Sequence, residues 1–387
     1  MIDEKIEQND VVISSRIRLA RNIADYPFIT TCSDDQRAQI ESTLRRGLVE
    51  VDRLSEGSFV NSDELEELER QFLLDLNLIS RHRDELEAEV IPPSDSNEGV
   101  SVDAGEDTES IEEVGVTINE EDHLRITVTR NDFDLEAAWD QINEIDDKIE
   151  ERFNYAFSQR WGYLTACPAN VGTGMRVSVL LHLPALVLTR QTEKVFRSVQ
   201  RINVVARGMF GDGAPGDFFR ISNQATLGCD EAELIEQVSS VIPALVKYER
   251  EARKLLLAEN EEGIRRQVTH ALNELCMCDL EDNSEDNNEE IMSLLSQVRM
   301  GVGMGLLGRE QADRVNRLFM LVNLRHLLFA AVAREDYSEA SKLRDRILKL
   351  ELIQDSGAAE IDLPLAGSDG VSTGNDLSGH DSEGERS

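Results

Sequence analysis

The chain has 387 residues, of which 40 are Lys or Arg and 76 are Asp or Glu, for a net charge of −36. That length allows two or three domains and a substantial core, while 40% hydrophobic and 5% aromatic residues leave part of the chain outside any core. So anionic a protein repels nucleic-acid phosphates and anionic lipid, which excludes a general nucleic-acid binder.

The charge is unevenly spread: segments 92–113, 279–290 and 355–387 carry 22 of the 36 excess negative charges. They read as solvated inserts and a tail. No basic stretch followed by an apolar run opens the chain, so no secretory signal is expected. The longest apolar runs, 177–188 and 318–332, are short or interrupted by His182, Asn323, Arg325 and His326, which predicts no membrane span and no membrane partner. Five cysteines, an odd number without framework spacing, predict free thiols in a cytoplasmic protein.

In chain order, an extended start at 11–13 leads into an arginine-rich run. Residues 34–80 read as helical, with Leu65, Leu68, Phe72 and Leu73 at helical spacing. The acidic stretch 92–113 reads as an inserted loop. Segments 114–118 and 124–128 alternate like strands, 135–157 reads as a helix, and 161–228 as strands with one helix. Residues 230–330 read as helices broken at 279–290, followed by a last helix at 336–353. The mixture lacks regular βαβ alternation, so the fold class is α+β. The expected organisation is a core at 10–228 carrying the insert 92–113, a helical C-terminal region at 229–330, a helical motif at 331–354 and a disordered acidic tail at 355–387.

Four segments carry chemistry. In Ser14-Ser15-Arg16-Ile17-Arg18, an extended backbone points Arg16 and Arg18 to one face and Ile17 to the other; two adjacent guanidinium forks suit a polyphosphate or, more blandly, nearby carboxylates. Asn119-Glu120-Glu121-Asp122-His123-Leu124-Arg125 places clustered carboxylates before a strand, where they serve as a base, a cation site or an acidic turn. Cys167-Pro168-Ala169-Asn170-Val171-Gly172-Thr173-Gly174-Met175-Arg176 joins a thiol to a glycine-rich turn and an arginine. Arg207-Gly208-Met209-Phe210-Gly211-Asp212-Gly213 adds one more arginine and carboxylate. Arg16, Arg18, Arg125, Arg176 and Arg207 together suit a triphosphate without a Walker lysine. Gly303-Met304-Gly305-Leu306-Leu307-Gly308 fits a dinucleotide pattern, but a helix rather than a strand precedes it, so it reads as helix–helix close packing or a tight turn. Scattered histidines predict no metal site.

These segments, with Ile221-Ser222-Asn223-Gln224 and Thr226-Leu227-Gly228, resemble the signature regions of the ATP:guanidino phosphotransferases over roughly residues 10–330, and within that family the bacterial protein-arginine kinases. The resemblance implies an antiparallel sheet flanked by helices, and an ATP-dependent transfer of the γ-phosphoryl group to arginine side chains of proteins. It implies catalytic roles for Glu121 as base, for Asp212 as a second carboxylate on the guanidinium, and for Cys167 as a nearby thiolate. ATP is expected at Ser14, Ser15, Arg16, Ile17 and Arg18, at Arg125, at Arg176, Val177, Ser178, Val179 and Leu180, and at Arg207, Gly208, Met209, Phe210, Gly211 and Asp212. Mg²⁺ is expected to bridge phosphate oxygens.

Small-molecule guanidino kinases carry a helical substrate-recognition domain before the Ser-x-Arg-x-Arg segment, whereas 13 residues precede Ser14 here; this favours a protein-borne arginine. Three positions depart from the family pattern: Asp212 stands in place of glutamate, the following Gly213-Ala214-Pro215-Gly216-Asp217 is shorter, and Asn77 replaces a nucleotide-contacting histidine. They keep two alternatives open, a catalytically weakened nucleotide-binding adaptor and a small-molecule guanidino kinase. Ala340, Leu343, Ile347 and Leu350 make one helical seam that resembles the UVR motif. The implied partners are Clp-type protease machinery in protein quality control, another UVR-containing protein, and a second copy in a homodimer.

Overall fold

The computed structural model describes residues 10–51, 60–61, 89–91, 112–130, 132–200, 203–208, 217–277 and 285–307. Its centre is an eight-stranded antiparallel sheet with β1 (Val12–Arg21), β2 (Val60–Asn61), β3 (Glu89–Ile91), β4 (Glu112–Ile118), β5 (Leu124–Arg130), β8 (Met175–His182), β9 (Val204–Gly208) and β10 (Phe218–Asn223). The strand order is β2-β3-β4-β5-β1-β8-β10-β9. Strands β6 (Phe157–Ser158) and β7 (Gly162–Tyr163) form a separate small hairpin. The α+β class is therefore borne out.

Period-two alternation divides this sheet into two chemically different faces. Ile17, Leu19, Leu124, Ile126, Val128, Val177, Val179, Leu181 and Ile221 are all buried on one of them. Helices cover that face: α1 (Asp34–Leu48) contributes Ile40, Leu44 and Leu48, and α2 (Leu135–Glu150) contributes Ile142, Ile145 and Ile149. Both helices start on side-chain caps that satisfy otherwise orphaned N–H groups. Ser33 and Gln36 make a capping box for α1, and the Asp134 carboxylate accepts from the Ala137 N–H for α2.

Helices α3 (Pro184–Leu188) and α4 (Thr192–Gln200) separate β8 from β9, where a single helix is expected from sequence. The helical reading of 34–80 holds over α1, which ends at Leu48, and fails at Val60–Asn61, a strand paired with β3; residues 52–59 and 62–80, with Leu65, Leu68, Phe72 and Leu73, lie outside the described residues. Asn77 lies outside the described residues, as do the insert 92–111, the motif 331–354 and the tail.

The C-terminal helices are α5 (Glu231–Ser239), α6 (Ile242–Met277) and α7 (Glu285–Gly303). Helix α6 bends at Asn260, whose backbone leaves helical values (φ −156°, ψ 62°). Its side-chain oxygen accepts from the Gly263 N–H at 3.0 Å, restarting the helix as a cap does. Before the bend, Leu245, Val246 and Ala252 belong to the main core; beyond it, Val268, Ala271 and Leu275 pack with Leu295, Val298 and Met300 of α7. Of the acidic run expected to interrupt the helices at 279–290, residues 285–290 are helical and open α7, while 279–284 lie outside the described residues. The Gly303–Gly308 pattern closes α7: Gly305 is left-handed (φ 69°), with Gly305 N–H to Val302 O at 2.9 Å and Leu306 N–H to Gly301 O at 3.0 Å. No helix among the described residues is long and apolar enough to cross a membrane.

A polar chain ties α7 to the sheet. The Ser296 hydroxyl donates to the Asp217 carboxylate at 2.6 Å, and His182 Nε2 lies 2.9 Å from the same hydroxyl oxygen. Burial, then the charges of Arg299 and Arg253, holds the His182 pKa well below 6.5. Above pH 6.5 His182 is neutral in both folded and unfolded chains. Below it the unfolded chain takes up a proton that the fold refuses, so stability falls by up to about 1.4 kcal/mol per pH unit. Urea unfolding at pH 7.5 and pH 5.5 is expected to show this extra loss in the wild type and not in His182→Gln.

Candidate active site

The opposite face of the sheet is lined with guanidinium groups. Arg18 on β1 lies across from Thr127 of β5 and Arg176 of β8; two residues along, Arg16 lies across from Thr129 and Ser178. Two further along, Ser14 pairs with Leu180, Leu180 with Arg220 of β10, and Arg220 with Arg207 of β9. Arg125 stands on the same face of β5, opposite Thr117 and Ala20.

Side-chain hydrogen bonds aim several of these forks. Arg16 Nε donates to Thr129 Oγ1 at 2.9 Å, and Arg176 Nη1 donates to the Asn223 carbonyl at 2.9 Å. Burial lowers the Arg18 pKa to about 10, helped by the charges of Arg125 and Arg176 and opposed by Glu120 and Glu121. Burial and then Arg207 lower Arg176, opposed by Cys167 and Glu121. Mutually repelling cations held this way gain most from a polyanion between them.

The acidic turn between β4 and β5 stands at one end of this face. Asn119 is left-handed (φ 57°), a conformation asparagine tolerates better than most residues. Its side-chain amide donates to Arg37 O at 2.9 Å. His123 Nδ1 accepts from the Ile23 N–H at 2.9 Å, so Nε2 carries the proton and donates to Pro27 O at 2.9 Å. Burial lowers the His123 pKa; this is a structural histidine. The three carboxylates then separate by partner. Glu120 is buried in an ion pair with Arg125. Asp122 is buried and accepts from Asn22 Nδ2 at 2.7 Å and from the Ala166 N–H at 2.6 Å. Glu121 is half-buried, the most exposed of the three.

Asp122 also reaches the second functional turn, because Ala166 immediately precedes half-buried Cys167. The Thr165 hydroxyl donates to Cys167 O at 2.7 Å, and a short 3₁₀ turn, Pro168–Asn170, follows. Gly172 (φ 117°) then lets two loops touch: a Cβ there would sit 2.2 Å from Thr226 O. Asn223, fully buried, locks the other side by accepting from Val177 N–H at 2.9 Å and donating to Met175 O at 3.1 Å.

The structure thus brings Ser14, Arg16, Arg18, Arg125, Arg176, Ser178, Leu180 and Arg207 onto one face, with Glu121 and Cys167 at the end marked by Arg176. Alternation divides the side chains of 14–18 and 176–180 between the two faces. Ile17, Val177 and Val179 lie in the core, and the Ser15 hydroxyl donates to Asp132 O at 2.7 Å. Gly208 ends β9, while Met209, Phe210, Gly211 and Asp212 lie outside the described residues. Sequence reasoning passed over Arg21, Asn22, Asp122 as a support for Cys167, and Arg220. The alternation Phe218-x-Arg220-x-Ser222 held a signal for the last of these, once paired with β8. Among the described residues no group of three or more His, Cys, Asp or Glu is placed to hold a metal ion.

Residues 39–252, more than half of the chain, match the family model of the ATP:guanido phosphotransferase C-terminal catalytic domain. The chain belongs to the ATP:guanido phosphotransferase family. Residues 280–360 of this family member match the protein-arginine kinase McsB C-terminal domain, a span that includes the predicted 331–354 motif. A protein-arginine kinase from Halothermothrix orenii is 35% identical over 327 residues, covering 83% of this chain and 86% of that one. The protein-arginine kinase of Bacillus licheniformis is 35% identical over 353 residues, covering 89% and 92%. Among solved structures, a duplicated taurocyamine kinase from Schistosoma mansoni aligns with a TM-score of 0.51 at 21% identity over 70% of this chain, which spans 37% of that longer protein. Lombricine kinase aligns with a TM-score of 0.50 at 21% identity, covering 62% and 67%. These two establish the guanidino-kinase fold of the sheet and its helices.

Proposed function

We propose that this chain is an ATP-dependent protein-arginine kinase. The observation that carries the reading is the line of arginines on one sheet face, ending at the half-buried carboxylate Glu121 and at Cys167. Polyphosphate lies along the guanidinium forks, and the terminal phosphoryl group sits at the Arg18, Arg125 and Arg176 end. The acceptor guanidinium approaches from the Glu121 side, and Glu121 takes its proton as the N–P bond forms and the O–P bond to ADP breaks. The arginines neutralise charge on the transferring group without reorganising. Mg²⁺ would be held through the nucleotide's phosphates rather than by a cluster of carboxylates among the described residues, and would supply charge neutralisation there, beside the guanidinium donors of Arg16, Arg18, Arg125 and Arg176.

Protein-borne arginine is favoured over a free guanidino compound by the likeness to relatives named protein-arginine kinases and by the match of 280–360 to their C-terminal domain. The same reading has segment 331–354 docking partner proteins of the protease machinery in the cytoplasm, and the chain acting in quality control. The test is incubation with Mg-ATP and radiolabelled γ-phosphate, offering either an arginine-rich protein such as casein or free arginine. Acid-labile label on the protein is expected, with little transfer to free arginine. Efficient labelling of free arginine would replace this reading with a small-molecule kinase, and no label on either would replace it with a nucleotide-binding adaptor.

A further inference from the structure

Seven large hydrophobic side chains are exposed among the described residues, and three of them, Phe157, Trp161 and Leu227, belong to segments that meet the turn carrying Cys167. The first two share one hairpin: Phe157 pairs with Tyr163, and Trp161 lies in the connection between β6 and β7. Tyr163 and Gly172 bridge this hairpin to the Cys167 turn, exchanging N–H to carbonyl hydrogen bonds at 2.7 and 3.3 Å. The segment after β10 meets the same turn. There the Thr226 hydroxyl donates to Val171 O at 2.7 Å, and a Cβ on Gly172 would come 2.8 Å from Leu227 Cα.

The hairpin is held from beneath. The Phe157 and Tyr163 rings meet edge to face at 5.3 Å, Tyr163 meets Tyr155 at 5.9 Å, and the buried Arg21 guanidinium lies against Tyr163. Arg160 lies over the Trp161 ring, 4.6 Å from its centre. Even so, Phe157 is 58%, Trp161 44% and Leu227 47% exposed. Single exposed apolar side chains are ordinary, but a group of them on anchored backbone marks an interaction surface. Such a surface binds at low ordering cost, and tryptophan is a favoured anchor. Its position indicates the occupant. Glu121 and Cys167 mark the end of the arginine face where the acceptor guanidinium enters, and a protein-borne arginine brings its chain neighbours with it.

We propose that Phe157, Trp161 and Leu227 form a ledge that binds apolar side chains flanking the target arginine of the acceptor protein. The kinase then prefers arginines set among hydrophobic residues, a context that unfolding exposes. This inference rests on the kinase reading above and names a class of acceptor for it. The ledge contacts the acceptor's neighbouring residues and takes no part in the transfer itself.

Two peptides of equal length and charge, each with one arginine, test it with the full chain and Mg-ATP. One flanks the arginine with leucine and phenylalanine, the other with serine and glutamine, and ADP release gives kcat and KM for each. In the wild type, kcat/KM is expected to be about tenfold higher for the apolar peptide, through KM, the scale of burying part of one such side chain. In Trp161→Ser and in Leu227→Ser the ratio is expected to fall toward one. Trp161→Phe is expected to keep it, which separates loss of the apolar contact from a folding defect. No preference in the wild type, or an unchanged ratio in the serine variants, would overturn the proposal. An equal loss on both peptides would make the ledge purely structural and overturn it too. Serine variants that dissociate a wild-type oligomer while keeping the ratio would make the ledge an interface between copies, which also overturns it. Failure of the wild type to phosphorylate either peptide would instead remove the kinase reading and this inference together.

Discussion

Replacing Glu121 by glutamine is expected to lower turnover by roughly 10²–10⁴-fold, the usual contribution of a positioned general base, while leaving the KM for ATP nearly unchanged. A guanidinium holds its proton above pH ~12, so it becomes a nucleophile only when a base accepts that proton during transfer. Three consecutive carboxylates stand at the site, and their partners decide which can do so. Glu120 is buried in its ion pair with Arg125, and Asp122 is buried with Oδ1 accepting from Asn22 and the Ala166 N–H. Glu121 alone of the three is half-buried rather than buried. Glu120→Gln and Asp122→Asn are expected to act differently: the first frees Arg125 and raises the KM for ATP, and the second loosens the Cys167 turn. Steady-state kinetics on the three variants checks the assignment. Equal activity in wild type and Glu121→Gln would remove Glu121 as the base.

The largest effect on stability is expected at Arg21. Arg21→Met is predicted to cost about 3–5 kcal/mol, because it strands a buried carboxylate without its cation. Arg21 is 2% exposed, and its Nη2 and Nε donate to Asp146 Oδ2 at 2.6 and 3.1 Å. Nη1 donates to the carbonyls of Ala20 at 3.0 Å and Thr173 at 2.9 Å, and the guanidinium carbon lies 3.6 Å from the centre of the Tyr163 ring. The Tyr155 hydroxyl donates to the other oxygen of Asp146 at 2.9 Å. One side chain therefore joins β1, α2, the β6–β7 hairpin and the glycine turn that leads into Arg176. Urea unfolding measures the loss; a change under about 1 kcal/mol, the scale of an exposed ion pair, would show that the pair is not the keystone described.

The sequence carried the chemistry of the two faces further than it carried their pairing. The alternation in Ser14-Ser15-Arg16-Ile17-Arg18 by itself separates Arg16 and Arg18 from Ile17, and the sheet keeps that separation. In 14–18 and 176–180 the same alternation puts Ser15, Ile17, Val177 and Val179 on the core side. Arg220 and Arg21 were out of reach for another reason. Their meaning comes from partners distant in the chain: Leu180 across β8 for one, Asp146 and Thr173 for the other. Periodicity reports a face and not a neighbour. The helical reading of 34–80 missed Val60–Asn61 for the same reason, since its meaning comes from pairing with β3 at a sheet edge.

On the proposed reading, phosphoryl transfer from ATP to the nitrogen of a protein-borne arginine requires the arginine-lined face and Glu121 together. The most direct measurement is ³¹P NMR of the full chain with Mg-ATP and an arginine-rich protein acceptor. Loss of the γ-phosphate signal is expected to be matched by growth of ADP and of a phosphoramidate resonance on the acceptor, both abolished in Glu121→Gln. Conversion of ATP to ADP and inorganic phosphate alone, with no phosphoramidate resonance, would contradict the account.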